Sequence, residues 1–241
     1  FIGIGKMIFH QLFDQDSCTY TYLIGSTVSK HAIIIDPVRS QVSHYINLIN
    51  KLELNLVASI DTHLHADHIT GSGQLTILTD CHSMIGMESK AKFVHIKFHD
   101  NEILNFGNIK IKAMHTPGHT PDSYCFVMED RIFTGDTLLI NATGRTDFQN
   151  GSASAQYDSL FNKLLKLPGF MRIYPGHDYN QKQYSTIDDE KKNNPRLQVK
   201  SRQEYVEMMG NLNLSFPKNM HFAVPANLNN GLTEQEVNAL V

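Results

Sequence analysis

The sequence predicts an α/β fold in which helices cover the outer faces of β-sheets. Predicted strands alternate with predicted helices, and the order of strands, helix, strand and polar loop occurs twice, with no internal repeat at a fixed period. A length of 241 residues and a hydrophobic fraction of 41% allow one sizeable core.

Strands and helices can be read from the spacing of apolar residues and from the turn residues between them. In the first eighty residues, β-rich runs are separated by polar breaks, and apolar residues three and four apart follow Pro37. The sequence therefore predicts strands at 7–13, 19–24, 32–35 and 56–61, and helices at about 41–52 and 69–78.

The rest of the chain continues this alternation and then becomes polar. It predicts strands at 109–115, 123–128, 131–134 and 171–174, and an amphipathic helix at 157–167. We expect a single domain spanning 7–241, with a helical and extended C-terminal extension from about 181. Residues 1–6 contain no starting Met, and we interpret them as a vector remnant or the end of a processed leader.

The composition argues against several classes of function. A net charge of −3 without a basic run argues against a nucleic-acid partner. No apolar run approaches the roughly 20 residues that span a bilayer, so no membrane partner is expected. The three cysteines, Cys18, Cys81 and Cys125, form no CxxC pair, which favours a reducing compartment over a disulfide framework. Cys18 is expected in a strand, as a small core residue.

The densest group of candidate metal ligands directly follows the apolar strand predicted at 56–61. It reads Thr-His-Leu-His-Ala-Asp-His and contains His63, His65, Asp67 and His68. Crowding imidazoles and a carboxylate into one small volume is unfavourable unless they bind something, and a divalent metal is the usual partner. This run therefore predicts a metal site.

Three further candidate ligands each follow a glycine that ends a predicted strand. They are His119 in Pro-Gly-His-Thr, Asp136 in Thr-Gly-Asp-Thr and His177 in Pro-Gly-His-Asp. Glycine permits an unusual φ and a close approach of the backbone, so the next side chain can point into a crowded site. Each motif alone is weak evidence, but together with the histidine-rich run they indicate metal binding.

In order and approximate spacing, these seven residues resemble the signature of the metallo-β-lactamase fold. The resemblance covers residues 7 to about 180. It implies an αββα sandwich, with two mixed β-sheets flanked by helices and a metal site at one edge of the sheets. In hydrolases of this fold, seven such ligands fill two metal sites, and a bridging hydroxide attacks the substrate.

A closer resemblance, to the persulfide dioxygenases, runs from about Ile8 to Asn227. It rests on the histidine-rich run, on Gly-Arg-Thr-Asp-Phe-Gln at 144–149, on Asn-Pro-Arg-Leu at 194–197 and on Ala-Val-Pro-Ala-Asn at 223–227. The second and last of these motifs are not general features of the fold.

This resemblance implies one Fe(II) per chain, held by His63, His119 and Asp136. Two histidines and one carboxylate on one face are typical of non-haem Fe(II) oxygenases and leave three positions open. The other four candidates would then orient these ligands or anchor water around a vacant second metal position: His65, Asp67, His68 and His177. Zn is expected as an adventitious occupant, because N/O sites generally bind it more tightly than Fe(II).

The resemblance also implies the substrates, which are glutathione persulfide and O₂, converted to glutathione and sulfite. Arg145 and Arg196 are candidates for binding the glutathione carboxylates, and Tyr179 for adding a hydroxyl donor. Arg145 could equally form a structural pair with Asp147. A homodimer is a family-level expectation, and a sulfurtransferase partner would be a separate protein. The expected compartment is a bacterial cytoplasm, or a mitochondrial matrix if residues 1–6 end a leader.

The alternative interpretation is a two-zinc thioester hydrolase of the glyoxalase II type, which also acts on a glutathione conjugate. It would share the fold, the ligands and the glutathione portion of the substrate. Leu64 stands where those hydrolases tend to have His, and the Gly-Arg-Thr-Asp-Phe run also favours the dioxygenase.

Overall fold

The computed structural model describes residues 7–180, 182–215 and 219–240. Within them, two six-stranded mixed β-sheets are flanked by helices, which confirms the predicted αββα fold class. The first sheet contains, in spatial order, β1 (Met7–Asp14), β2 (Thr19–Ser26), β3 (His31–Ile35), β4 (Asn55–Ile60), β5 (His82–Gly86) and β6 (Ile96–Phe98). Strands β1 to β3 pair antiparallel, and β3 to β6 pair parallel. The C-terminal ends of β3 and β4 therefore lie side by side.

The second sheet has its strands in the order β12, β11, β10, β9, β8, β7. These strands are β7 (Ile103–Phe106), β8 (Ile109–His115), β9 (Tyr124–Val127), β10 (Arg131–Gly135), β11 (Arg172–Pro175) and β12 (Ser185–Thr186). Strand β10 pairs parallel with β11 and antiparallel with β9. Because β10 and β11 run in the same direction, the residues that follow them meet at one edge of the sheet.

Seven α-helices accompany the sheets in the described part of the chain. They are α1 (Val42–Lys51), α2 (Ser72–Thr79), α3 (Ala153–Asp158), α4 (Ile187–Asn193), α5 (Arg202–Gly210), α6 (Met220–Leu228) and α7 (Glu234–Leu240). Helix α3 continues as a π-helical turn and a 3₁₀ turn as far as Lys166. Helices α4 and α5 confirm the helical patterning read after residue 181.

The structure differs from the predicted elements in three ways. The helix predicted at 157–167 begins at Ala153 and is α-helical only to Asp158, after which π and 3₁₀ turns continue to Lys166. Helix α2 begins at Ser72 and not at residue 69, because Thr70 forms a β-bridge with Val38, and Gly71 donates its N–H to the Pro37 carbonyl. Strands β5, β6, β7 and β12 were not predicted. Each has between two and five residues and pairs with a neighbouring strand of its sheet.

The described residues divide into two compact units. The first contains the described residues up to Phe98, Ile103–Ile111 and the residues from Asn219 onward, and the second contains His99–Glu102 and the residues from Lys112 to Ser215. The expected single domain over 7–241 stays a prediction, and residues 1–6 lie outside the described residues.

Each unit has its own apolar core. In the first unit, Val42, Tyr45 and Ile49 on one face of α1 belong to the same buried cluster as Leu23 and Ile34 of the sheet. In the second, residues of α5 and of the turns after α3 join residues of β9 to β11 in a cluster: Tyr205, Met209, Leu160, Leu164, Cys125, Ile132 and Ile173. Burying a large apolar side chain contributes about 1.5–3 kcal/mol, so these cores hold the strand ends that carry the candidate ligands.

The three cysteines are free thiols in different surroundings. Cys81 and Cys125 are buried, and burial raises the pKa of Cys81 and raises that of Cys125 to about 12. The expectation that Cys18 is a core residue in a strand is wrong. It lies in the turn before β2 with a φ of 56° and is partly exposed, because the β1–β2 hairpin closes there.

Among the described residues, no helix has the length and apolar content needed to cross a bilayer.

Candidate metal centre

The histidine-rich loop starts where β4 ends and is anchored to the residue that follows β3. The Asp36 carboxylate accepts a hydrogen bond from the Thr62 backbone N–H at 2.7 Å and another from the Thr62 hydroxyl at 2.9 Å. Asp36 is buried and has a φ of 51°, a conformation that Asp tolerates better than most residues. Because β3 and β4 pair in parallel, the buried Asp36 carboxylate after β3 can fix the position of Thr62 at the start of the loop that follows β4.

The Thr62 hydroxyl also determines which nitrogen of His63 carries a proton. The Thr62 hydroxyl donates its hydrogen to Asp36. The same oxygen lies 2.9 Å from His63 Nδ1, and toward that nitrogen it can only accept a hydrogen bond. His63 therefore carries its hydrogen on Nδ1, which leaves Nε2 with the lone pair that a metal binds. Such a hydrogen bond on the second ring nitrogen is the usual companion of a metal-binding histidine.

His65 is oriented the other way, toward buried carboxylates. Its Nε2 lies 2.9 Å from Asp36 Oδ1 and 3.7 Å from Asp61 Oδ1, and its Nδ1 lies 3.9 Å from Asp67 Oδ1. Burial lowers the pKa of His65, but the three carboxylates outweigh burial and raise it to about 9. Burial also raises the pKa of Asp61, to about 6, against the attraction of His65. The buried carboxylates around His65 thus fix the orientation of its ring.

His68 is oriented by Asp67 on the same loop. The His68 Nδ1–H donates to Asp67 Oδ2 at 2.9 Å, and the Thr19 hydroxyl donates to the same oxygen at 3.1 Å. This leaves His68 Nε2 buried, and it has no hydrogen-bond partner among the residues that the structure describes. Ligand atoms of His65, Asp67 and His68 lie within 4.8 Å of one another, so these three side chains form a possible metal-binding group within the first unit.

Replacing Thr62 by valine should weaken metal binding, because it removes the acceptor for His63 Nδ1–H and one donor to Asp36. Loss of such an outer partner typically costs about 10- to 100-fold in metal affinity. The replacement Thr62→Ser keeps the hydroxyl and should retain the affinity. Titration of the folded apoproteins with Zn(II) against a chelator measures both. Equal affinities for the two variants would contradict the orienting role of the hydroxyl.

The second unit brings three predicted ligands together at the ends of β10 and β11. Asp136 follows β10, and its Oδ1 accepts the His177 Nδ1–H at 2.7 Å. His119 donates its Nδ1–H to the Arg145 carbonyl at 2.7 Å, so its Nε2 carries the lone pair. That Nε2 lies 3.5 Å from Asp136 Oδ2. These two acceptor atoms face each other, and a hydrogen bond on the opposite side of each side chain holds it in place. Such an arrangement suits a cation bound by both.

The glycines before these ligands act as expected, although by different means. Gly118 and Gly135 have φ values of 152° and 48°, in the region that favours glycine. Gly176 lacks a positive φ, but a Cβ there would lie 2.6 Å from Asp136 Oδ1. Its role is therefore close approach, which allows the residue after β11 to pass directly beside the carboxylate.

Comparison with known proteins places the chain in a family. The model of the "Metallo-beta-lactamase superfamily" matches residues 18–177. The chain is 44% identical over 230 residues to "Persulfide dioxygenase ETHE1, mitochondrial" of Homo sapiens, covering 94% of this chain and 89% of the human protein. The solved structure of ETHE1 from Myxococcus xanthus matches with a TM-score of 0.91 and 44% identity, covering 93% of this chain and all of that one.

The chain belongs to the persulfide dioxygenase family. It is therefore an enzyme with the metallo-β-lactamase fold and a metal cofactor. A "Hydroxyacylglutathione hydrolase" of Francisella tularensis is more distant, being 34% identical over 66% of this chain and 63% of its own length. The dioxygenase side of the sequence-based interpretation is thus confirmed at the level of the family.

The candidate substrate residues of this persulfide dioxygenase have different environments. The Arg145 guanidinium binds both carboxylate oxygens of Asp147, at 2.7 and 2.8 Å, and also the Ser215 carbonyl. Tyr179 is 72% exposed, and its ring stacks on His177. Arg196 is half-buried, donates to the Thr143 carbonyl and hydroxyl, and forms no ion pair among the described residues. Their roles in substrate binding stay predictions.

Several residues that shape the candidate metal centre of this chain were not identified as such from the sequence. Asp36, Asp61 and Thr19 orient the loop histidines, and the Arg145 backbone carbonyl orients His119. Asp36 and Asp61 each directly follow a buried strand, a position that could have drawn attention to them. A backbone carbonyl leaves no signal in the residue types.

Proposed function

We propose that this enzyme oxidises glutathione persulfide with O₂, using one Fe(II) held by His63, His119 and Asp136. The observation that supports it most is the facing pair of His119 Nε2 and Asp136 Oδ2 in a chain of the persulfide dioxygenase family. The lone pair on His63 Nε2 supplies the third ligand of a two-histidine, one-carboxylate set. Such a set leaves three positions for substrate, O₂ and water.

The iron supplies electron transfer that lets ground-state O₂ react, and the protein supplies the arrangement around it. In the proposed reaction the S–S bond breaks, the terminal sulfur loses four electrons, and one O₂ accepts them. Two oxygen atoms of sulfite come from O₂ and the third from water, which also returns the glutathione thiol. Hydrogen bonds from His177 to Asp136 and from His119 to the Arg145 carbonyl orient these two side chains.

One observation favours the alternative, a two-zinc hydroxyacylglutathione hydrolase. Ligand atoms of His65, Asp67 and His68 lie within 4.8 Å of one another. The bonds of His65 Nε2 to Asp36 and of His68 Nδ1 to Asp67 leave His65 Nδ1 and His68 Nε2 buried without a hydrogen-bond partner among the described residues. We propose a single iron because the chain belongs to the persulfide dioxygenase family.

Metal content and oxygen uptake separate these two functions. Protein purified anaerobically and loaded with Fe(II) should consume one O₂ for each sulfite formed from glutathione persulfide, and Zn-loaded protein should consume none. Two Zn per chain in protein from its native source, with hydrolysis of a glutathione thioester and no O₂ uptake, would overturn the dioxygenase proposal.

Arg196 is the strongest candidate for binding a glutathione carboxylate. Burial lowers the pKa of its guanidinium, and no carboxylate among the described residues offsets that cost. A partly buried cation without an acidic partner is suited to an anionic ligand. Arg145, already bound to Asp147, and the exposed Tyr179 are kept as further substrate contacts within this proposal.

Replacing Arg196 by glutamine should therefore raise the KM for glutathione persulfide by about 10- to 100-fold, the value of a hydrogen bond to a charged group. A small persulfide without carboxylates should be oxidised equally well by both enzymes. The control Arg202→Gln removes an exposed guanidinium that pairs with Asp158 and should leave both substrates unaffected. Equal losses on the two substrates would show that Arg196 only stabilises the fold around Thr143.

Three further proposals rest on the family resemblance. We propose a homodimer, a separate sulfurtransferase that supplies the persulfide, and a reducing compartment. The compartment would be a bacterial cytoplasm or a mitochondrial matrix, the latter matching the word "mitochondrial" in the names of the human and bovine relatives.

A further inference from the structure

The segment that contains α6 makes the most direct contact with the backbone of the ligand loop. Asn227, near the end of α6, is only 2% exposed. Its Nδ2 donates one hydrogen to the His65 carbonyl at 2.9 Å and the other to the His68 carbonyl at 2.8 Å. Its Oδ1 accepts the Thr70 backbone N–H at 2.9 Å. One side chain thus holds three backbone groups across six residues of the loop.

The neighbours of Asn227 hold the same stretch of chain. Asn219 donates to the Asp67 carbonyl at 2.6 Å, and the Asn230 carbonyl accepts the Gly73 N–H at 3.1 Å. Gly231, with a φ of 69°, lies so close that a Cβ there would be 2.1 Å from the Thr70 carbonyl oxygen. The loop therefore lies directly against this C-terminal segment from Asp67 to the start of α2.

We propose that Asn227 is a positioning residue for the metal centre, which fixes the backbone of the ligand loop from His65 to Thr70, directly after His63, and through it the direction of His68. The inference rests on the proposed function, in which this loop supplies a metal ligand. Metal ligands must be held to within about half an ångström to keep their geometry. The loop after His63 has no helical or strand hydrogen bonding before Thr70, and Asn227 supplies donors to its His65 and His68 carbonyls.

Two isosteric variants on the same segment test this role. The replacement Asn227→Asp keeps the acceptor for Thr70 but turns a carboxylate oxygen toward the His65 and His68 carbonyls. The matched control Asn230→Asp removes the same amide donors from another buried asparagine, which bind Ser83 and the Phe93 carbonyl and not the ligand loop. Both variants are expected to be less stable than the parent, so loss of stability alone does not distinguish them.

Metal affinity of the folded proteins is the decisive measurement, made anaerobically against a chelator with Fe(II) and, separately, with Zn(II). Asn227→Asp should bind both metals about 10- to 100-fold more weakly, the usual effect of losing a group that orients a ligand. It should also alter the absorption spectrum of bound Co(II). Asn230→Asp should stay within about 3-fold of the parent. If the charged variants do not fold, Asn227→Ala and Asn230→Gly replace them, since glycine tolerates the φ of 58° at residue 230.

Unchanged metal affinity in Asn227→Asp, or an equal loss in Asn230→Asp, would overturn the positioning role. Weakened Zn(II) binding in Asn227→Asp, alongside a parent protein that takes up no Fe(II), would support the positioning role and contradict the iron in the proposed function. The two failures are thus distinguishable.

Discussion

Replacing Asp136 by alanine is expected to abolish persulfide-dependent O₂ uptake. The replacement removes a proposed metal ligand and leaves His177 Nδ1 and His119 Nε2 without the carboxylate between them. The loss should exceed the roughly 10- to 100-fold that removal of an orienting group costs. Oxygen-electrode rates and the metal content of the same preparation measure it.

Two comparisons make this result specific. His177→Ala removes the group that orients Asp136 and should reduce activity by about 10- to 100-fold without abolishing it. Asp130→Ala removes a half-exposed carboxylate that pairs with Arg131 in the same unit, and it should leave activity intact. Full activity in the Asp136 variant would refute the proposed ligand set.

Replacing Gly144 by alanine should also destroy the centre, although residue 144 carries no functional group. A Cβ there would lie 2.0 Å from the Asp136 carbonyl oxygen and 3.1 Å from Cγ of His119. The clash is with backbone atoms, so it can be relieved only if the end of β10 or the Arg145 carbonyl that orients His119 shifts. Such a shift costs much more free energy than the rotation of a side chain. We expect loss of bound metal and of activity, together with a lower Tm.

Gly210→Ala is the matched control for that change. No atom lies within 4 Å of a Cβ at residue 210, the last residue of α5. Alanine is favoured over glycine in helices by about 0.5–1 kcal/mol, so this variant should be equally active and slightly more stable. A Gly144 variant with normal metal content would mean that the backbone around Asp136 yields more easily than the close contact implies.

The sequence predicted the parts of the fold that repeat a clear period. Strands β1 to β4 and β8 to β11 and helix α1 lie close to their predicted positions. The prediction missed β5 to β7 and β12, which depend on pairing with neighbouring strands. Length alone does not explain the difference, because β9 and β11, with four residues each, were predicted.

The candidate site shows the same division. Its candidate ligands could be predicted because histidine and aspartate that cluster at strand ends are typical metal-binding residues. The groups that orient them were not, since Asp36 and Asn227 lie far from the histidine-rich run in sequence and the partner of His119 is a backbone carbonyl. Such partners come together only when the chain folds, so residue type alone does not predict them.

The burial of two of the three thiols has a consequence for an enzyme that handles sulfane sulfur. A persulfide transfers its outer sulfur to thiolates. A thiol in an apolar core whose pKa is raised has almost no thiolate form at neutral pH. Cys125, with a pKa of about 12, and Cys81 are thereby protected from the enzyme's own substrate. Cys18, partly exposed in the β1–β2 turn, is the one of the three thiols that a persulfide in solution can reach.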